Sequence, residues 1–123
     1  MPEPTLRDRR ILVVEDEYML AMDLERELRD AGADVLGPVP TVATALELIE
    51  TAEALDGALL DVNLGGEPIF PVADALLGRG VPVVLTTGYD LRAIPERYAE
   101  VPRCEKPVDV RQVARTLGRL VAA

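Results

Sequence analysis

Short apolar runs alternate with longer amphipathic segments along this chain. The first run, at residues 11–14, is Ile-Leu-Val-Val and stops abruptly at the carboxylate of Glu15. A continuous apolar run of this length is typical of a strand buried on both faces of a parallel sheet. Residues 18–31 predict a helix that stops at Gly32, because apolar residues that face the core recur at near-helical spacing: Met19, Met22, Leu24, Leu28 and Ala31. The pattern predicts a buried strand followed by a helix.

The same alternation continues to the last residues. Further strands are predicted over residues 34–36, 55–60, 81–87 and 101–105, and further helices start near residues 41, 70 and 110. Residues 91–100 are predicted to form only a short, irregular helix, because Pro95 disfavours helix at the preceding residue. Strands alternating with helices require right-handed crossovers. The fold class is therefore α/β, with a doubly wound, five-stranded parallel sheet covered on both faces.

Composition excludes several function classes. The 123 residues suit one domain, and the net charge of −9 makes nucleic acid an unsuitable partner. Nothing resembles a signal peptide or a membrane span, and the single cysteine, Cys104, cannot form an internal disulfide. We therefore expect a cytoplasmic protein that contacts no membrane. The absence of histidine argues against zinc hydrolysis and against catalytic triads.

The pattern also predicts the domain limits. Residues 1–9 are charged and interrupted by prolines, so we expect a loose lead-in. The ordered domain is expected to cover residues 10–121. We expect no output domain after the last helix.

Polar residues stand where the predicted strands end. Glu15 and Asp16 follow the first strand, Asp61 the third, Thr87 the fourth and Lys106 the fifth. In open α/β sheets, ligands bind beyond the carboxyl ends of the strands, where the winding reverses. We therefore expect these five side chains to gather on one rim.

That combination of side chains suits phosphoryl chemistry. Crowded carboxylates stay ionised most readily around a divalent cation, and oxygen ligands suit Mg²⁺. An ionised Asp61 can attack phosphorus and form an aspartyl phosphate. Lys106 supplies a cation for the phosphoryl oxygens, and the Thr87 hydroxyl can hydrogen-bond one of them.

Four motifs in this order resemble the receiver domain of two-component response regulators. They are Val-Val-Glu-Asp at residues 13–16, Leu-Asp-Val-Asn-Leu at 60–64, Pro-Val-Val-Leu-Thr-Thr-Gly at 82–88 and Lys-Pro at 106–107. The resemblance runs from about residue 10 to residue 120. It implies a flavodoxin-like (βα)₅ fold with strand order 2-1-3-4-5.

The resemblance also implies the function. Asp61 would accept a phosphoryl group from a sensor histidine kinase or a phosphotransfer protein, and a downstream protein would read the result. The protein would catalyse only its own phosphorylation and dephosphorylation. The implied Mg²⁺ ligands are Asp16, Asp61 and the backbone carbonyl of Asn63, with Glu15 acting through water, and the implied phosphate-binding residues are Thr87 and Lys106.

The chain departs from the family pattern at the switch region. Arg103 stands where the family usually has a mobile aromatic residue, three positions before the lysine. The Thr-Thr-Gly-Tyr sequence ending at Tyr89 is similar to a subgroup of single-domain receivers with a Thr-Gly-Tyr signature. We therefore expect Arg103 and Tyr89 to belong to an atypical switch segment. The downstream partner would bind residues 89–100, the fifth strand and the last helix.

Other interpretations remain open at this point. Each residue alone has a structural explanation, such as acids favouring a helix N-terminus after Glu15 or a solvated Lys106. A receiver that is never phosphorylated and serves as an interaction scaffold is one alternative. A small phosphatase or nucleotide-binding enzyme is another, but it requires a second catalytic acid after Asp61 or a glycine-rich loop after the first strand. The sequence contains neither.

Overall fold

The computed structural model describes residues 6–88 and 94–121, which form a parallel sheet between two layers of helices. The sheet strands are β1 (Arg10–Val14), β2 (Asp34–Val39), β3 (Gly57–Asp61), β6 (Val83–Thr87) and β7 (Arg103–Glu105), and a separate hairpin contains β4 (Asn63–Leu64) and β5 (Glu67–Pro68). The helices are α1 (Tyr18–Asp30), α2 (Val42–Thr51), α3 (Phe70–Gly78) and α4 (Val110–Val121), with a 3₁₀ turn at Glu96–Tyr98. Among the described residues, none of the helices combines the length and the apolar character needed to cross a bilayer.

The five sheet strands lie in the order β2-β1-β3-β6-β7, and all neighbours are parallel. Counted along the sheet strands alone, this is the predicted 2-1-3-4-5 order. Helices α1 and α4 cover one face, and α2 and α3 cover the other. The predicted doubly wound fold is therefore confirmed.

Neighbouring residues of the central strands point into different cores, which explains why the strands are apolar throughout. Leu59 and Val84 pack in the core beneath α1 and α4. Leu60 and Leu85 pack in the opposite core, beneath α2 and α3. Because side chains alternate along a strand, the face to which each later residue of β3 and β6 points follows from these four residues.

The N-terminal turn of α1 differs from the prediction. Met19 and Met22 were expected in the core, but their side chains are 69% and 39% exposed. The buried residues of α1 are Ala21, Leu24 and Leu28. The helix starts beyond the carboxyl edge of the sheet, so its first turn has no strand to pack against, and periodicity alone does not show this.

Two other segments lie where the sequence predicted them, although the ends of their helices differ from the predicted ends. Thr41 caps α2 as expected, since its hydroxyl oxygen accepts a hydrogen bond from the Thr44 backbone N–H at 3.1 Å. In the segment predicted to be irregular, the 3₁₀ turn follows Pro95. The predicted switch residue Tyr89, like residues 90–93, lies outside the described residues.

Gly37 allows the edge strand β2 to continue through a bend. Its φ is +95°, and a β-carbon there would lie 2.7 Å from the carbonyl oxygen of Val13 and 2.9 Å from the backbone nitrogen of Val39. Gly37→Ala is therefore expected to lower the free energy of unfolding by more than about 2 kcal/mol, measured by urea denaturation.

The matched control is Gly78→Ala, at the end of α3. A β-carbon at Gly78 meets nothing within 4 Å. This variant should be neutral or more stable by up to about 1 kcal/mol. Equal losses in the two variants would contradict the steric explanation for Gly37.

Candidate functional site

The carboxyl ends of the central strands bring the predicted site residues to one rim. Asp61 is the last residue of β3 and lies beside Thr86 of β6 in the strand register. The backbone N–H of Lys106 donates to the Thr87 carbonyl at 2.7 Å, which continues the β6–β7 pairing. Glu15 follows β1, and its N–H donates to the Val39 carbonyl at 3.0 Å.

The Asp61 carboxylate is buried and held at both oxygens. The Lys106 ammonium donates to Oδ2 at 2.9 Å. The backbone N–H of Asn63 donates to Oδ1 at 3.1 Å. Only 3% of Asp61 is exposed, so the orientation of its carboxylate is set by these two contacts rather than by water.

Lys106 also lies close to two glutamates. Its ammonium nitrogen is 3.7 Å from Glu15 Oε2 and 4.0 Å from Glu17 Oε2. Partial burial by itself would lower the pKa of Lys106, but the hydrogen bond to Asp61 and the surrounding carboxylates raise it above its ordinary value. The lysine is therefore a permanent cation of the rim.

Glu15 is the most perturbed acid of the rim. Burial, followed by the hydrogen bond to the adjacent Asp61 carboxylate and its charge, raises the pKa of Glu15 to about 7, against the opposing effects of the Glu17 N–H and Lys106. Its Oε1 has no hydrogen-bond partner among the described residues. A buried, unpartnered carboxylate oxygen beside a second carboxylate is a favourable place for a cation or a water ligand of a cation.

The three predicted acids form one donor set. Carboxylate oxygens of Glu15, Asp16 and Asp61 lie within 4.8 Å of one another. Glu15 and Asp61 are buried, whereas Asp16 is exposed at the entrance. This arrangement of hard oxygen donors, open to water on one side, suits Mg²⁺.

The hairpin after Asp61 places Asn63 beside the donor set. Gly65 and Gly66 both have positive φ angles, 58° and 92°, as a tight two-residue hairpin turn requires. Asn63 faces Pro68 across this hairpin. Since proline has no N–H, Pro68 donates no hydrogen bond to the Asn63 carbonyl. The predicted carbonyl ligand is thus not engaged by its hairpin partner.

Two buried hydroxyls end strand β6. Thr86 is 0% exposed and Thr87 is 2% exposed. Neither hydroxyl oxygen has a hydrogen-bond partner among the described residues. Buried polar groups in proteins are nearly always hydrogen-bonded, so this pair requires an explanation.

Arg103 binds the segment that carries the 3₁₀ turn. Its guanidinium donates to the Tyr98 carbonyl at 3.1 Å. The Tyr98 ring is buried and stacks on Phe70 of α3 with ring centroids 5.2 Å apart. Arg103, the position expected to be atypical, thus binds the backbone of an aromatic residue, Tyr98, that lies outside strand β7. Its role in switching stays a prediction.

A polar cluster completes this attachment to α3. The Tyr98 hydroxyl donates to Asp74, and the Arg97 guanidinium contacts Asp74 at 3.1 Å while lying 4.6 Å from the centre of the Tyr98 ring. The hydrogen bond from Tyr98, and then that from Arg97, lower the pKa of Asp74. We call Phe70, Asp74, Arg97 and Tyr98 the α3 clamp.

Sequence reasoning missed three features near the site. The hairpin could have been found, because Gly65-Gly66 between two short polar and apolar pairs is a known hairpin signal. The proximity of Glu17 to Lys106 and the unpartnered Thr86 hydroxyl have no sequence signal. Cys104 lies in the core, where burial raises the pKa of its thiol.

Several solved structures have the same fold as this chain and match it over nearly its whole length. No protein-family model matches the chain. SdrG from Sphingomonas melonis Fr1 is 39% identical, with a TM-score of 0.80 over 94% of this chain and 98% of SdrG. The BeF₃-activated conformation of SdrG from Pseudomonas melonis Fr1 is 40% identical, with a TM-score of 0.74 over 91% of this chain and 95% of that one. A response regulator receiver protein from Sinorhizobium medicae WSM419 is 25% identical, with a TM-score of 0.77 over 97% of this chain and 98% of that one.

Longer curated proteins are similar over part of their length. The phyllosphere-induced regulator PhyR of Methylorubrum extorquens is 33% identical over 97 residues, which are 77% of this chain and 34% of PhyR. The transcriptional regulatory protein PdtaR of Mycobacterium tuberculosis is 30% identical over 90 residues, 72% of this chain and 43% of PdtaR. The Thr-Gly-Tyr subgroup stays a prediction. The fold, the site and the near-complete overlap with SdrG establish that this chain belongs to the response regulator receiver family.

Proposed function

We propose that the protein accepts a phosphoryl group on Asp61 in an Mg²⁺-dependent reaction and transmits this change to a protein partner. The observation that carries the proposal is the geometry around Asp61. Its carboxylate is buried, shares a donor set with Glu15 and Asp16, and receives the Lys106 ammonium at 2.9 Å.

The donor set fits the metal that the family implies. Asp16, Asp61 and the Asn63 carbonyl would hold Mg²⁺ directly, and Glu15 would hold it through a water molecule. When bound, Mg²⁺ supplies charge neutralisation for the oxygens of the transferring phosphoryl group.

Phosphoryl transfer then requires an in-line attack by Asp61. One carboxylate oxygen forms the new O–P bond while the N–P bond of a phosphohistidine breaks, and the bonding electron pair stays with the imidazole nitrogen. The Lys106 ammonium first contacts the Asp61 carboxylate and then, as the negative charge moves to the phosphoryl oxygens, contacts those oxygens. The Thr87 hydroxyl, unpartnered among the described residues, donates to one of those oxygens.

The phosphoryl donor is a sensor histidine kinase or a phosphotransfer protein, in the cytoplasm. It must reach Asp61 across the rim, next to a groove of about 390 Å³ that includes Glu17, Met19 and Lys106. Met19, which lines this groove, is 69% exposed, and Tyr18, its neighbour in sequence, is 73% exposed. Exposed apolar side chains at the entrance give the donor a surface to bind without blocking the acid.

The activated state of a relative supports the proposal. SdrG has a BeF₃-activated conformation, and beryllofluoride has the shape and charge of a phosphoryl group. SdrG matches this chain over nearly its whole length. PhyR and PdtaR match over less than half of theirs, so their wider activities support only the receiver role.

Incubation with acetyl phosphate tests the proposal. In the presence of Mg²⁺ we expect one phosphoryl group per chain, detected by intact mass, and we expect none when EDTA removes the metal. Asp16→Asn removes one directly bound charge at the entrance and should raise the Mg²⁺ concentration for half-maximal labelling by roughly tenfold or more.

The control is Asp23→Asn, on α1. Asp23 borders the same groove but is absent from the donor set. Its labelling should match that of the unmodified chain. A chain that takes no label from acetyl phosphate or from any kinase, yet still binds partners, would be the non-phosphorylated scaffold instead.

A further inference from the structure

Thr86 occupies a central place beneath the rim. In the strand register it lies between Asp61 of β3 and Cys104 of β7. Its side chain points to the α1 and α4 face, the face of Val84, two residues earlier on the same strand. Asp61 points to the same face, because Leu59, two residues earlier on β3, packs there.

The Lys106 side chain crosses this position. Lys106 follows β7, whereas the carboxylate that it contacts belongs to β3, on the other side of β6. The lysine stem therefore spans β6 at the level of Thr86 and Thr87. The ammonium donates to Asp61 at 2.9 Å and lies 3.7 Å from Glu15.

The Thr86 hydroxyl is unsatisfied in this arrangement. Thr86 is 0% exposed, and its Oγ1 has no partner among the described residues. The backbone does not explain the choice of threonine, because the Thr86 carbonyl already accepts from the Val62 N–H at 3.0 Å. Valine would fill the same volume without a buried hydroxyl, and leaving one unpaired is costly.

We propose that Thr86 is a positioning residue for Lys106 in the phosphorylated state. This inference rests on the proposed phosphorylation of Asp61. Once one Asp61 oxygen is esterified, that carboxylate loses its negative charge, and the ammonium moves toward the phosphoryl oxygens. The Thr86 Oγ1, beneath the lysine stem, then accepts one N–H of the ammonium and fixes its position.

The two threonines of strand β6 have different roles. Thr87 contacts the phosphoryl group itself in the proposed function, whereas Thr86 acts through Lys106. A hydrogen bond between a hydroxyl and a charged group contributes more than one between neutral groups. The effect is therefore large enough to measure by removing the hydroxyl alone.

Beryllofluoride binding with Mg²⁺ tests this on the full chain, followed by the amide NMR signals of the rim. Thr86→Val should weaken beryllofluoride binding about tenfold, and Thr86→Ser should stay within about twofold of the unmodified chain. In a Lys106→Met background, Thr86→Val should cause no further weakening. The unfolding free energy of Thr86→Val in urea should equal or exceed that of the unmodified chain, since the variant loses only an unpaired hydroxyl.

The outcomes distinguish this inference from the proposed function. Failure of the unmodified chain to respond to beryllofluoride and to acetyl phosphate would overturn the phosphorylation itself. A normal response in both the unmodified chain and Thr86→Val would overturn the role of Thr86 alone. Equal weakening by Thr86→Val with and without Lys106 would show that the hydroxyl acts independently of the lysine, which also overturns the inference.

Discussion

Asp61→Asn should abolish labelling by acetyl phosphate while the protein remains folded. A neutral amide lacks the charge and the nucleophilicity needed to attack phosphorus. The amide fills nearly the same volume as the carboxylate, and its oxygen can still accept one of the two hydrogen bonds, from Lys106 or from the Asn63 N–H. Intact mass after incubation with acetyl phosphate and Mg²⁺ gives the result directly.

The matched control for this variant is Asp34→Asn. Asp34 begins the edge strand β2, at the far end of the sheet from the rim, and forms an exposed ion pair with Arg10. Because such surface pairs contribute little, the control should fold and take label as the unmodified chain does. Labelling of Asp61→Asn at the unmodified level would place the acceptor elsewhere, with Asp16 as the first residue to test.

Tyr98→Ala should cause one of the largest losses of stability available in this chain. The ring is 1% exposed, stacks on Phe70 and belongs to the core beneath α2 and α3. Truncating a buried aromatic residue to alanine typically lowers the free energy of unfolding by about 3–5 kcal/mol. Urea denaturation followed by circular dichroism measures this loss.

Two further tyrosine variants separate the contributions to the α3 clamp. Tyr98→Phe keeps the stacked ring and removes only the hydroxyl that donates to Asp74, so we expect a loss of about 1 kcal/mol. Tyr18→Ala removes a ring that is 73% exposed and should change stability by less than about 0.5 kcal/mol. Comparable losses for Tyr98→Ala and Tyr18→Ala would mean that the clamp contributes nothing to the fold.

The sequence predicted the rim because its charged residues stand at the ends of buried apolar strands. A buried parallel strand must be apolar along its whole length, so a carboxylate such as Asp61 marks the point where it leaves the core. Since the carboxyl ends of parallel strands share one edge, the positions of Glu15, Asp61 and Lys106 followed from strand order. Their mutual distances are now given by the structure.

Features that depend on packing between distant segments could not be predicted in the same way. Periodicity placed Met19 and Met22 on the apolar face of α1, but it does not show where the sheet beneath the helix ends. The stacking of Tyr98 on Phe70 joins residues 28 positions apart and leaves no periodic pattern. Arg103 looked only like a missing aromatic residue, whereas the structure shows the carbonyl that it binds.

The single lysine of the rim determines the order in which ligands can arrive. The rim contains one ammonium and four acidic groups, those of Glu15, Asp16, Glu17 and Asp61. The protein without a bound cation therefore repels an incoming phosphate dianion. In the proposed function, a divalent ion would enter first and reverse that repulsion. Cellular magnesium would therefore control the encounter with the phosphodonor as well as the chemical step, and raising the ionic strength should accelerate the encounter when magnesium is scarce.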